Sequence, residues 1–416
     1  MTRITDTESG MVLQKALEMM LAHVHPLAAV QVPLSEGFNR TLASDIRARV
    51  DSPSMDASLM DGYAVRSPDL SGATKDRPVA LTLSGSTAAG SQPGLVVESQ
   101  HTLRVMTGAP IPSGADAVVP EEFTTRQNDL ILFHRGEKSG CNILPHGNDV
   151  AMGQVVARAG CSIGPGLLGL LAAAGHSHVE VIRPPRVALI ATGDEVVASE
   201  NPLPKGKLYA SNITTLDGWC RRYGFQTRLY VVGDVLEDIC HTLKQTIDKA
   251  DVVMTSGGAW VGEKDLMVQA LERLDWKQVF HGIRMAPGKG TGFGLINSKP
   301  VFMLPGGPPA NLMGFLQIGL PGLLRMAGPG YTRLPEINVR LGSDLYGRHA
   351  NWTQFVFGTL ERQDSLYLFH PLLTRSRLQS LAEAEAIVSI PEGEKHIGIG
   401  AIVKAQLLSY YTGFRC

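Results

Sequence analysis

At 416 residues the chain is too long for one ordinary core, which predicts several domains. Lys and Arg total 38 against 39 Asp and Glu, a net charge of −1; with no Lys/Arg run, this excludes a nucleic-acid surface and a basic membrane-facing stripe. The apolar fraction of 44% is that of a globular protein, and five scattered cysteines (Cys141, Cys161, Cys220, Cys240, Cys416) without a C-x-x-C pair read as reduced thiols of a cytoplasmic protein.

The start, MTRITDTESG, lacks an apolar signal core, and the longest apolar stretch, residues 163–174, is glycine-broken and too short for a bilayer. Val12, Leu13, Ala16, Leu17, Met20 and Leu21 predict a helix over 11–24 with one buried stripe. Residues 43–50 alternate as a strand does. The stretch 52–65 then gathers aspartates, serines and a glycine with no long helical period. It reads either as a polar turn before a strand or as a binding loop. In the second case Asp61-Gly62-Tyr63 sets a carboxylate and an aromatic at one bend. Segments 78–83, 101–106, 115–119 and 130–134 read as short strands between Gly/Pro/Ser clusters, so 52–145 forms a small β domain. A core helix over 164–174 is expected to return to the first helix. Residues 1–51 and 146–177 would then make a helical base into which the β domain is inserted.

From Pro184 the pattern changes. Val187-Ala188-Leu189-Ile190-Ala191 is a buried strand ending in Thr192-Gly193-Asp194-Glu195. Ser211 is placed to cap a helix running to Tyr223. A strand over 227–232 ends in Gly233-Asp234, and a helix over 236–250 follows. Val252, Val253 and Met254 make the next strand, which breaks at Thr255-Ser256-Gly257-Gly258 before a helical segment over 263–274. Strand, glycine turn and helix point free backbone amides at an anion. Asp265, inside the helix start, either stabilises that terminus or holds a cation against a bound phosphate. A strand over 277–283 precedes Pro287-Gly288-Lys289. A last strand, 300–304, ends in Pro305-Gly306-Gly307 before an apolar helix over 312–326. The alternation predicts a doubly wound α/β domain over 178–328, whose ligands bind outside the carboxyl ends of the strands. Residues 329–416 return to β patterning, with a short helix over 378–384, and predict a β barrel or sandwich.

These residues resemble the molybdopterin molybdenumtransferase family, called MoeA in bacteria and represented in animals by the C-terminal domain of gephyrin. The resemblance runs along nearly the whole chain. It rests on Ser58-Leu59-Met60-Asp61-Gly62-Tyr63-Ala64-Val65, Thr107-Gly108-Ala109, Gly114-Ala115-Asp116, Thr192-Gly193-Asp194-Glu195, Ser211-Asn212, Gly257-Gly258 with Gly262 and Asp265, Pro287-Gly288-Lys289 and Leu304-Pro305-Gly306. It implies the same architecture: a helical base with an inserted β domain, an α/β molybdopterin-binding domain and a C-terminal β domain. It also implies a reaction in which adenylylated molybdopterin and molybdate enter, the phosphoanhydride is cleaved, AMP leaves and the metal is placed on the dithiolene. Asp61, Glu195, Asp265 and Lys289 would be catalytic, and Glu195, Asp234 and Asp265 would hold Mg²⁺. Asp234 has the alternative of capping the helix after it. Ser58, Thr107, Thr192, Gly193, Ser211, Asn212, Gly257, Gly258, Trp260, Gly262, Pro287, Gly288, Pro305 and Gly306 would bind substrate. The family's cleft lies between two subunits, so a homodimer is expected. The molybdopterin adenylyltransferase and apo-molybdoenzymes are further partners, with no role for nucleic acid or membrane.

The chain also departs from the family. Ala259-Trp260-Val261-Gly262 puts an indole where a serine is common; its ring could stack on the pterin. Ala286 stands where a lysine often does, with Arg284 as a possible substitute charge; Gly290 and Gly307 replace a proline and an asparagine. Leu144 and Asn148 replace an arginine and a glutamate, and Arg375 and Arg377 fall in a stretch usually rich in Gly and Ser. Several of these changes touch anion handling, so tungstate stands beside molybdate as an alternative. A nucleotide hydrolase on the same α/β domain, or a scaffold that binds a partner peptide, are the readings from other classes.

Overall fold

The computed structural model describes residues 10–90, 94–257, 266–328, 333–363, 366–372 and 376–409. The chain divides into two compact units, one of Gln31–Phe38 and Ser44–Glu180, the other of Met1–Val30, Asn39–Ala43 and Val181–Cys416.

The smaller unit carries a six-stranded mixed sheet. Its spatial order is Ala117–Pro120, Gly62–Val65, His101–Val105, Val79–Thr87, Leu130–Phe133, Thr124–Gln127. Gly62–Val65, the end of the candidate binding loop, is a fully buried strand paired on both sides. Its alternation sends Tyr63 and Val65 into one core with Leu81 and Phe133, and Ala64 into another with Leu103 and Val118. Gly62 is obligatory: a Cβ there would lie 2.1 Å from the Val119 carbonyl oxygen. The strand expected over 43–50 is confined to Ile46–Arg47. The polar residues before it serve as side-chain partners instead, Ser44 donating to Glu180 and Asp45 accepting from the Ala159 amide. The helix Pro165–Ala173 lies in this unit.

In the larger unit, helix α1 (Leu13–Ala22) buries Ala16, Leu17 and Met20. That stripe joins the α/β core rather than meeting Pro165–Ala173 within a shared unit. Gly322 makes the room for it, since a Cβ at Gly322 would stand 3.1 Å from the Met20 sulfur. The sheet is built from β1 (Arg186–Thr192), β2 (Gln226–Val232), β3 (Val252–Ser256), β4 (Lys277–His281), β5 (Gly292–Ile296) and β6 (Lys299–Leu304), in spatial order β2-β1-β3-β6-β5-β4. The first four in that order are parallel, and β5 and β4 are antiparallel additions. Helices α2 (Ser211–Arg222), α5 (Pro308–Gly314) and α6 (Leu320–Ala327) pack with α1 on one face. A π-helical turn, Phe315–Gly319, joins α5 to α6. Helices α3 (Leu236–Lys249) and α4 (Leu266–Arg273) cover the other face. This is the expected doubly wound arrangement.

Five C-terminal strands close on themselves. Thr353–Gln363 pairs Leu366–Pro371, which pairs Glu336–Leu341, then Ile402–Leu407, then Ala386–Ile390, which returns to Thr353–Gln363. Closure makes this a barrel and removes the edges a sandwich would leave. The helix Arg377–Glu383 is capped by Ser376, whose hydroxyl accepts from the Gln379 amide at 3.2 Å. Among the described residues no helix is long and apolar enough to cross a membrane.

Candidate active site

The carboxyl ends of β1, β3 and β6 open into a cavity of ≈ 800 Å³ beside the start of α2. It lies where the strand order reverses between β1 and β3, the usual ligand position of such sheets. Thr192, Glu195, Ser211, Asn212, Gly257 and Gly306, all named from the sequence, line it, together with Leu203, Leu208, Tyr209 and Arg377.

Local chemistry explains the shape. Gly257 has φ +103, and a Cβ there would lie 2.8 Å from the Thr192 carbonyl oxygen, so β1 and β3 come together only through glycine. Its amide donates to Leu304 O at 3.2 Å and is not available to a phosphate, contrary to the expectation for the glycine turn. The side chain of buried Asn311 ties the turn after β6 to the end of β3, its Nδ2 donating to Ser256 Oγ at 3.0 Å and Pro305 O at 2.9 Å. Asn212 Nδ2 donates to the same Ser256 Oγ at 3.1 Å and to Gly306 O at 2.8 Å. Pro305 thus contributes its carbonyl to the cavity wall's support and does not itself line it. Asn311 was not named from the sequence; a polar residue seven places past a strand end, inside an apolar helix, was the available signal.

Ser211 is the first residue of α2 rather than its cap. The N-cap is Ala210, which has no side-chain acceptor, and its amide is held by Val197 O at 2.9 Å. The first-turn amides of α2 therefore face the cavity end with no side-chain cap.

Next to the cavity, the ends of β1 and β2 are clasped by two aspartates. Asp194 Oδ1 accepts from the Asp234 amide at 2.9 Å, and Asp234 Oδ2 accepts from the Asp194 amide at 3.3 Å. Lys207 Nζ donates to the Asp194 carbonyl. Asp234 does not cap α3, whose N-cap is Val235 without a side-chain bond. Gly193 has φ +138, and a Cβ there would lie 2.6 Å from Glu195 Oε2. Among the described residues no three His, Cys, Asp or Glu side chains stand together as a metal cluster. Gly258, Trp260, Gly262 and Asp265 lie outside the described residues, as does Arg375.

Pro287, Gly288 and Lys289 are not part of the cavity lining. Pro287 follows a cis bond, and Gly288 is buried at φ +120, where a Cβ would meet Met285 Cε at 2.4 Å. Lys289 is exposed, with Nζ 5.3 Å from the centre of the Trp352 ring. Arg284 is not a spare cation, because its guanidinium pairs with Glu392 at 3.1 Å.

In the smaller unit, Asp61 Oδ1 accepts from the Thr107 amide at 2.6 Å and the Thr107 hydroxyl at 2.7 Å. Those bonds, the amide's first, hold this exposed carboxyl below its usual range. Ser58 is buried, its hydroxyl donating to Met60 O at 2.7 Å and its carbonyl accepting from the Gly108 amide at 2.8 Å. It braces the Asp61 and Thr107 loops against each other.

A family model described as MoeA N-terminal region (domain I and II) matches residues 11–175, and one described as probable molybdopterin binding domain matches 188–325. The molybdopterin molybdenumtransferase 2 of Mycobacterium tuberculosis is 31% identical over 393 residues, 93% of this chain and 96% of that protein. The chain belongs to the molybdopterin molybdenumtransferase family. A molybdopterin molybdenumtransferase of Staphylococcus aureus is 28% identical over 96% of both chains. The molybdopterin biosynthesis MoeA protein from Pyrococcus horikosii superposes with a TM-score of 0.81 at 32% identity, covering 97% of this chain and 100% of that one. Membership makes the chain a transferase of molybdenum cofactor biosynthesis.

Proposed function

We propose that this enzyme places molybdate on the dithiolene of adenylylated molybdopterin, with Mg²⁺-dependent cleavage of the phosphoanhydride and release of AMP. The observation that carries this reading is the cavity at the sheet's switch point, where α2 begins without a side-chain cap. Uncapped first-turn amides and the positive end of the helix dipole favour an anion such as a phosphate. Hydroxyl and amide groups of Thr192, Ser211 and Asn212 orient the substrate, and Leu203, Leu208 and Tyr209 offer an apolar wall to a flat ring. Arg377 adds a cationic side chain to the lining.

Glu195 and Asp234, at the ends of β1 and β2, are oxygen donors of the kind a hard cation takes, and the set needs a further carboxylate from outside the described residues. Glu195 leans its carboxylate into the space that Gly193 leaves open, and Asp194 and Asp234 each spend one named oxygen on an amide. Glu195 and Asp234 would hold Mg²⁺ there, with Asp265 completing the set. Bound, Mg²⁺ supplies charge neutralisation to the anhydride as AMP departs. Lys289 contributes a point charge to the oxyanion, and Asp61, kept ionised by Thr107, offers a fixed acceptor. In the active homodimer the Asp61 loop of one subunit completes the α/β site of the other. The molybdopterin adenylyltransferase acts before this step and an apo-molybdoenzyme receives its product. The test supplies purified adenylylated molybdopterin, molybdate and Mg²⁺ and follows AMP. Release that needs both molybdate and Mg²⁺ is the expected result, and an AMP yield unaffected by omitting molybdate and adding a chelator would refute the reaction.

A further inference from the structure

Trp352 stands over the ammonium of Lys289, 5.3 Å from Nζ to the ring centre. Attraction of an ammonium to an aromatic face operates within about 6 Å and is strongest for tryptophan. The ring is held in place. His349 packs on it with centroids 5.2 Å apart, and the Trp352 amide donates to His349 O at 3.2 Å. Buried Gln354 pins that turn, its Oε1 accepting from the Arg348 amide at 2.6 Å and its Nε2 donating to His349 O at 3.0 Å. The lysine's loop is anchored to the same strand. Met285–Ala286 runs parallel to the start of Thr353–Gln363, and the Thr353 amide donates to Arg284 O at 3.1 Å. Ring and lysine therefore share one frame.

We propose that Trp352 is a positioning residue for Lys289. Its indole face keeps a flexible ammonium in the place where it meets the tetrahedral oxyanion, so less rotamer freedom is lost on binding. The nearest cation in sequence, Arg284, is committed to Glu392 and does not compete for that anion. The inference rests on the role given to Lys289 above.

Two readouts test it on the full chain, with thermal melts to confirm folding. Acylation of Lys289, followed by mass spectrometry, should be roughly two- to fivefold faster in Trp352→Leu and close to wild type in Trp352→Phe. In AMP release, Trp352→Leu should raise the molybdate KM by a similar factor of roughly two to five, with kcat within about twofold. In a Lys289→Met background Trp352→Leu should add nothing. If Trp352→Leu folds poorly, Trp352→Gln replaces it, removing the π face while keeping bulk. Unchanged acylation, or an effect of Trp352→Leu that persists undiminished without Lys289, overturns the inference. Faster acylation together with full activity of Lys289→Met would instead overturn the role given to Lys289, and the positioning role with it.

Discussion

Asn311→Asp is the sharpest probe of how the cavity wall is held. The two side chains have the same shape, so no cavity forms, and only the Nδ2 donor is lost. Two contacts depend on it, at 3.0 Å to Ser256 Oγ and 2.9 Å to Pro305 O. The first is recoverable, because the Ser256 hydroxyl can turn its proton toward the introduced carboxylate. The second becomes oxygen against oxygen in a residue only 1% exposed. Losing one neutral hydrogen bond costs about 1 kcal/mol and orphaning a buried carbonyl about 1–3, so roughly 2–4 kcal/mol in all. At about 2–4 °C per kcal/mol, the melting transition should fall by roughly 4–16 °C at about pH 8. Burial raises the introduced carboxyl's pKa, so its neutral form is favoured in the fold, and protonated it can donate to Pro305 O. Stability is then retained at low pH and lost as pH rises through the raised value. Fluorimetric melts of variant and wild type at about pH 4.5 and about pH 8 should show the deficit shrinking in acid. A deficit equal at both pH values, or none at either, would refute the network as described.

Three other outcomes are expected. Thr107→Val removes one of the two donors that hold Asp61 low, so the Asp61 carboxyl should titrate higher and the acid limb of the pH–rate profile should move upward; an unmoved limb would separate Asp61 from the reaction. At Asp251 burial pushes the carboxyl up, but hydrogen bonds from Arg183 and Arg186 outweigh it and hold it far below the usual range. That stability is present above the unfolded value of about 3.9 and is lost as pH falls toward the lower folded one, so Asp251→Asn should melt earlier at neutral pH and converge with wild type in acid. Asp61→Ala and Asp265→Asn subunits, each inactive alone, should regain roughly a quarter of wild-type AMP release when unfolded, mixed and refolded into dimers, since about half the dimers are mixed and each has one intact site; re-formed dimers with no activity would rule out a shared cleft.

The sequence disclosed what depends on local order. Val187–Ala191 and Val252–Met254 are apolar runs of the kind shown by strands buried on both faces, and their glycine-bearing ends point to Thr192, Glu195 and Gly257, which line the cavity. Distant partners were not legible. The stripe on α1 announced a buried face without saying that Gly322 would receive Met20. Arg284 read as a spare cation because Glu392 is far along the chain. Gly62 and Tyr63 read as part of a bend because the strand Gly62–Val65 is too short to show a period, and its burial comes from two neighbouring strands. Ser211 looked like a cap by residue type, but the ladder through Val197 sets Ala210 at that position. Trp352 gave no signal at all, since a lone tryptophan in a polar turn reads as packing.

In the proposed reaction AMP leaves only as the metal goes on. Purified enzyme, adenylylated molybdopterin, Mg²⁺ and limiting molybdate are brought to completion, and AMP and protein-bound or pterin-bound molybdenum are measured in the same sample. One molybdenum should be placed per AMP released, with both falling together in Glu195→Gln. AMP released without molybdenum in the product, or molybdenum in the product without AMP, would contradict it.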